Sequence, residues 1–153
     1  MSETSILQQI QQDMTAAMKA REIATLSTLR MLKTALMEAK TKKTKDATLT
    51  RDEEIEVLQR YAKKRRETIE ELKKVGRADL IESEEREIAV TQRYLPQMLG
   101  EDEVRAVVRE TVARLGAAGP KDLGRVMGAV MAQVRGRTEG ATVSRLVKET
   151  LGG

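Results

Sequence analysis

Apolar residues recur along this chain at helical spacing, and no stretch alternates as a strand would. Ile6, Ile10, Met14 and Met18, with Leu7 and Ala17 beside them, predict one face of a first helix. Leu26, Leu29, Leu32, Leu36 and Ala39 predict a second, which runs out into the basic polar stretch Lys40-Thr41-Lys42-Lys43-Thr44-Lys45. Thr50 opens a third. Glu53 follows three residues later, so side chain and backbone can satisfy each other as a capping box, and Asp52, Glu53 and Glu54 suit the positive end of the helix dipole. Its stripe is Ile55, Leu58, Ala62, Ile69 and Leu72, and Gly76 supplies a left-handed stop. Ala78 to about Tyr94 predicts a fourth helix with Leu80, Ile81 and Ile88 inward, ending at Leu95 because the following Pro96 disfavours helical geometry there.

Beyond Pro96 three shorter helices are predicted. Val104, Val107, Val108, Val112 and Leu115 form the first, stopped at Gly116. Pro120, at a first-turn position, starts the second with Leu123, Val126, Met127, Val130 and Val134. Gly136 and Gly140 bracket a turn, and Val143, Leu146, Val147 and Leu151 form the third. The expectation is an all-α protein: an N-terminal bundle of about four helices over residues 1–95 and a smaller three-helix domain over 96–153.

Composition then narrows the chemistry. The 153 residues include no Cys, His, Trp or Phe and only two Tyr. Without thiol or imidazole there is no disulfide scaffold, Cys nucleophile or His base, and no zinc or haem site of the usual kind. Aromatic residues at 1% do not make a stacking platform for single-stranded nucleic acid. Carboxylates such as Glu84, Glu85 and Glu87 cluster without a recognisable nucleophile, and no phosphate-binding glycine motif occurs. No catalytic residue, metal or cofactor is therefore expected. No window is apolar enough for a membrane span, and the opening Met1 to Ser5 lacks the features of a signal peptide, so a cytoplasmic location is expected.

Charge supplies the candidate chemistry. The 28 Lys and Arg exceed the 24 Asp and Glu by four, which permits a polyanion partner without requiring one. Lys63-Lys64-Arg65-Arg66 puts four cations on one turn of the third helix, which a solvated face paired with Glu67 and Glu70 would also explain. From Lys121 to Lys148 the six bases Lys121, Arg125, Arg135, Arg137, Arg145 and Lys148 face only Asp122 and Glu139. Arginine grips phosphate with two parallel hydrogen bonds, and glycines 136 and 140 would let backbone amides approach an anion. Gly124, Gly128 and Ala132, four apart, are expected to permit close packing of helices, with Met127 and Met131 as core filler. Tyr94 is expected to lock the two domains hydrophobically with its hydroxyl in water.

Motif order adds a resemblance. Gly76-Arg77-Ala78-Asp79-Leu80, the run Glu84 to Glu87, and Tyr94-Leu95-Pro96-Gln97-Met98-Leu99 resemble the core of the GatB/YqeY family. Leu123-Gly124-Arg125-Val126-Met127-Gly128-Ala129-Val130-Met131 and Gly136-Arg137-Thr138-Glu139-Gly140 through Ser144 are similar to that family's tail. Leu123 stands where the family usually has Met, and Glu139 where it usually has Asp. The resemblance implies kinship with the tRNA-gripping helical and tail region of the GatB subunit of tRNA-dependent amidotransferase. It also carries a family-level label, carbon–nitrogen ligase with glutamine as amide donor, whose catalytic domains have no counterpart in so short a chain. The expected function is a stand-alone tRNA-binding accessory protein of translation. Lys121, Arg125, Arg135, Arg137, Arg145 and Lys148 would sit on phosphates, assisted by Lys63, Lys64 and Arg66, with a translation or amidotransferase-related protein as a further partner. Rival readings are an amidotransferase component acting with partner subunits, a protein–protein adaptor without nucleic acid, and a DNA-binding helix-turn-helix poor in base-reading side chains.

Overall fold

The computed structural model describes residues 4–44 and 46–152. The leader reading at Met1 to Glu3, and Lys45 of the basic loop, lie outside the described residues. Among those described, seven α-helices and two 3₁₀ turns account for the regular structure, and there is no strand: the fold is all-α. Backbone proximity divides the chain into two units, Met1–Leu95 and Pro96–Gly153.

In the N-terminal unit, α1 (Ile6–Lys19), α2 (Ile23–Thr41), α3 (Arg51–Lys74) and α4 (Ile81–Gln92) enclose one core. Helix α2 is central, packing against α1, α3 and α4. Ile6, Ile10, Leu29, Leu32, Leu36, Leu58, Val90 and Tyr94 are buried together. Helix α1 carries the inward stripe expected of it, with one correction. Ala17 is buried and Met18 is 58% exposed. At roughly 100° per residue, Ala17 falls about 20° from the line of Ile6, whereas Met18 falls about 120° away.

The Thr50–Glu53 capping box forms as expected, and a second one joins Ser5 and Gln8 at the start of α1. Helix α3 ends in a Schellman motif. Gly76 adopts φ 70°, the Arg77 N–H donates to the Leu72 carbonyl and the Gly76 N–H to that of Lys73. The same pair of bonds ends α1, but the left-handed residue there is Arg21, at φ 58°.

The expected fourth helix, Ala78 to Tyr94, is shorter and composite. Ala78–Leu80 forms a 3₁₀ turn, α4 proper begins at Ile81, and it stops at Gln92, ahead of Pro96. Its core contribution comes from Val90 and Tyr94, while Leu80 is 43% exposed.

The C-terminal unit is α5 (Glu101–Leu115), α6 (Leu123–Val134) and α7 (Gly140–Leu151), with a 3₁₀ turn at Pro120–Asp122 feeding α6. All three pack on one another around Val104, Val108, Val126, Val130, Val134, Val143, Leu146, Val147 and Leu151. Met127 and Met131 pack against that core as filler, as expected. Tyr94 departs from its reading. It is 7% exposed within the N-terminal core, and its hydroxyl donates to the Asp13 carboxylate rather than lying in water. Burial, then the Asp13 acceptor, pushes the phenol well above its usual range.

Candidate nucleic-acid interface

The candidate residues of the C-terminal unit lie on the α6–α7 hairpin. Each helix has twelve residues, hence a length of about 18 Å. The short turn between them reverses the chain, so that the 3₁₀ turn preceding α6 packs against α7. Lys121 and Arg125 therefore lie near the end of the hairpin remote from the connection, and Arg135 and Arg137 lie in the connection itself. On α7, Val143, Leu146, Val147 and Leu151 are buried and Arg145 and Lys148 exposed. Three residues apart, they share the outer face.

The six cations are not equivalent. Arg145 pairs with Glu101 on α5 and with Glu149, 3.3 Å away. Arg105 adds a 3.7 Å contact to Glu149, which ties α5 to α7. The Arg145 hydrogen bond holds the Glu101 carboxyl below its ordinary range, and Glu101 in turn raises the Arg145 guanidinium. Arg137 is half-buried. Its Nε donates to the Gln97 carbonyl at 3.1 Å, and its own carbonyl accepts from the Leu99 N–H at 2.7 Å, so it clamps the segment leading into α5. Arg125 pairs with Asp122 at 3.3 Å. Asp122 lies below its usual range, chiefly because the Ala118 N–H donates to it. Lys121, Arg135 and Lys148 are exposed and, among the described residues, have no side-chain partner.

Two glycine readings change. Gly136 is buried and left-handed at φ 83°, which makes it the residue that turns α6 into α7 rather than an approach for an anion. Gly124, Gly128 and Ala132 do not mediate close helix packing. All three are exposed, and a Cβ built on either glycine would meet nothing within 4 Å. The buried stripe Val126, Val130 and Val134 takes the opposite face of α6, which leaves the small residues to solvent. Hydropathy spacing cannot register such a face, because glycine and alanine read as neutral on either side of a helix.

In the N-terminal unit, Lys63 and Lys64 on α3 are exposed and unpartnered among the described residues, while Arg66 is half-buried and engaged. Glu70 pairs with Lys73 at 3.3 Å. Arg65, in the same run, turns inward. It stacks 5.2 Å from the Tyr61 ring centroid and lies 3.5 Å from Glu84 and 3.9 Å from Glu87. Tyr61 donates to Glu87 at 2.7 Å. Sequence reasoning missed this cluster, since the pairing runs between two helices.

Among the described residues no group of acidic side chains is arranged to hold a metal ion, and no helix is long and apolar enough to cross a membrane. Comparison with known proteins agrees with the motif order. The family model described as "Yqey-like protein" matches residues 7–151. A protein of Pyrenophora tritici-repentis named "Altered inheritance of mitochondria protein 41, mitochondrial" is 29% identical over 153 residues, covering 98% of this chain and 83% of that protein. With a match that runs through both units from α1 to the end of α7, the chain belongs to the YqeY-like protein family.

Proposed function

We propose that this chain is a cytoplasmic, tRNA-binding accessory protein of translation that holds RNA without altering it. The observation that carries this reading is the open face of α6, where Gly124, Gly128 and Ala132 expose backbone on a helix that carries Arg125 and is flanked in sequence by Lys121 and Arg135, with Lys148 exposed on the neighbouring α7. A helix without side chains on one face admits a sugar–phosphate strand to van der Waals distance, and flanking Lys and Arg then reach the phosphates. Lys121, Arg135 and Lys148 carry most of the contact. Arg125 is itself exposed and can leave its half-buried partner Asp122, which keeps the Ala118 N–H, for a phosphate. Arg137 and Arg145 contribute mainly by fixing the shape of the hairpin. Lys63, Lys64 and Arg66 on α3 supply a separate basic surface. The absence of thiol and imidazole from the sequence supports binding without bond-making chemistry.

Neutralising about five phosphates predicts a fall in affinity of two to three orders of magnitude between 50 and 200 mM salt. A filter-binding series with bulk tRNA checks this, and failure to retain tRNA at low salt overturns the reading.

A further inference from the structure

Of the six large apolar residues exposed among the described residues of the N-terminal unit, four lie on or beside its first two helices, with Val75 and Leu80 at the α3–α4 junction. Met18 is 58% exposed, Ile23 80%, Met31 50% and Met37 39%. Helix α2 is thus apolar on two faces, since Leu29, Leu32 and Leu36 already fill the core. Only four of its nineteen residues are charged, against fifteen of twenty-four in α3. Ile23, Met31 and Met37 stand exposed on the outer side among Ser27, Arg30, Thr34 and Glu38. Between α1 and α2 lies an open, shallow groove of about 510 Å³, lined by Met14, Arg30, Lys33, Thr34, Met37 and Glu38.

Charge identifies what would cover it. In the cleft lining Arg30 and Lys33 stand against one acid, Glu38, and along the sequence from Met14 to Lys42 the cations Lys19, Arg21, Lys40 and Lys42 are added against one further acid, Glu22. Among the described residues none of those six side chains has a partner. Elsewhere many cations do find acids, as Lys43 finds Glu53 at 2.6 Å and Lys73 finds Glu70 at 3.3 Å. Phosphate would answer the cations but leave the methionines wet, because a polynucleotide backbone offers no apolar stripe. Unbranched, polarisable methionine side chains instead suit a helical ligand whose apolar residues they mould around.

We propose that the α1–α2 cleft seats an acidic amphipathic helix of a partner protein, its apolar stripe on Met14 and Met37 and its carboxylates toward Arg30 and Lys33. The cleft belongs to the N-terminal unit and the α6 face to the C-terminal unit, so either assignment can fail alone.

The test labels the methyl groups of the chain's eight methionines and titrates two synthetic helical peptides by NMR. Both peptides carry the same leucine stripe, flanked by Glu in one and Lys in the other. The Glu peptide is expected to shift the Met14 and Met37 methyls, leave those of Met98, Met127 and Met131 unmoved, and bind at least tenfold tighter than its Lys counterpart. Met37→Glu should weaken it at least tenfold with an unchanged unfolding midpoint. Lys33→Glu, a surface exchange, should invert the preference between the peptides. Equal affinities, or shifts confined to other methyls, overturn the proposal. So does a dimer in sedimentation that Met37→Glu dissolves, which would make a second copy the occupant. Bulk tRNA that displaces the Glu peptide and moves the same methyls would assign the cleft to a polyanion and also overturn it.

Discussion

Glu54 is a single carboxylate on which the start of another helix depends. It is 3% exposed, and its two oxygens accept from the Ile6 N–H at 3.1 Å and the Leu7 N–H at 2.9 Å. Two of the orphan donors at the N-terminus of α1 are thereby met by a charge on α3, at the end of the helix dipole that favours an anion. Removing the acceptor leaves one buried and one half-buried donor unpaired, so Glu54→Ala should destabilise the N-terminal unit by about 2–4 kcal/mol. Glu54→Gln keeps one acceptor without the charge and should cost roughly half as much. Urea unfolding followed by circular dichroism separates the two, and equal losses would deny the carboxylate its role. In the sequence, Asp52, Glu53 and Glu54 read alike as first-turn acids. One of them caps its own helix, whereas its neighbour caps a helix 48 residues away. A partner that distant leaves no periodic trace.

At the scale of elements, the helices were legible where burial is one-sided and less so where two helices share polar groups. The stripes of α3, α6 and α7 follow the 3.6-residue period closely, and Gly76 and Gly116 stop α3 and α5 as left-handed residues. The seam between α3 and α4 was not legible, because Tyr61, Arg65, Glu84 and Glu87 each look like surface residues on their own helix. There burial outweighs the attraction of Arg65, so the Glu84 carboxyl is raised above its ordinary value. Its Oε2 and the Arg65 Nε are buried without a hydrogen-bond partner. A carboxyl raised by folding favours the fold below its unfolded pKa, and that contribution is lost as pH rises through the folded value. Glu84→Gln, neutral at every pH, should therefore raise the melting temperature at pH 7 and change it little at pH 4. A melting series from pH 4 to pH 8 reads the difference, and a variant less stable at pH 7 than at pH 4, relative to wild type, would reverse the assignment.

Across the whole molecule, a net charge of +4 conceals two kinds of cation. One kind is built into the fold: Arg145 and Arg105 join α5 to α7, Arg137 holds the Gln97 carbonyl, and Arg65 lies within the α3–α4 seam. The other kind, including Lys121, Arg135 and Lys148, has no side-chain partner among the described residues. Sequence spacing could not tell them apart, because the two kinds stand side by side, as Lys64 does with Arg65 and Arg135 with Arg137. Counterion release does distinguish them, since each phosphate contact contributes about 0.7–0.9 to the slope of log affinity against log salt. Substituting Lys121, Arg135 and Lys148 together by Ala should lower that slope for bulk tRNA by about 2–3, with the unfolding midpoint unchanged. Substituting Arg137 and Arg145 by Ala should lower the slope by less than about 1 and reduce the stability of the C-terminal unit, because the Gln97 carbonyl and the Glu101 and Glu149 carboxylates lose their partners. The two variants remove three and two positive charges, so net charge alone predicts slope changes in the ratio of about three to two. A slope that tracks the number of charges removed, whichever residues carry them, would make the attraction a property of the whole surface rather than of the α6 face.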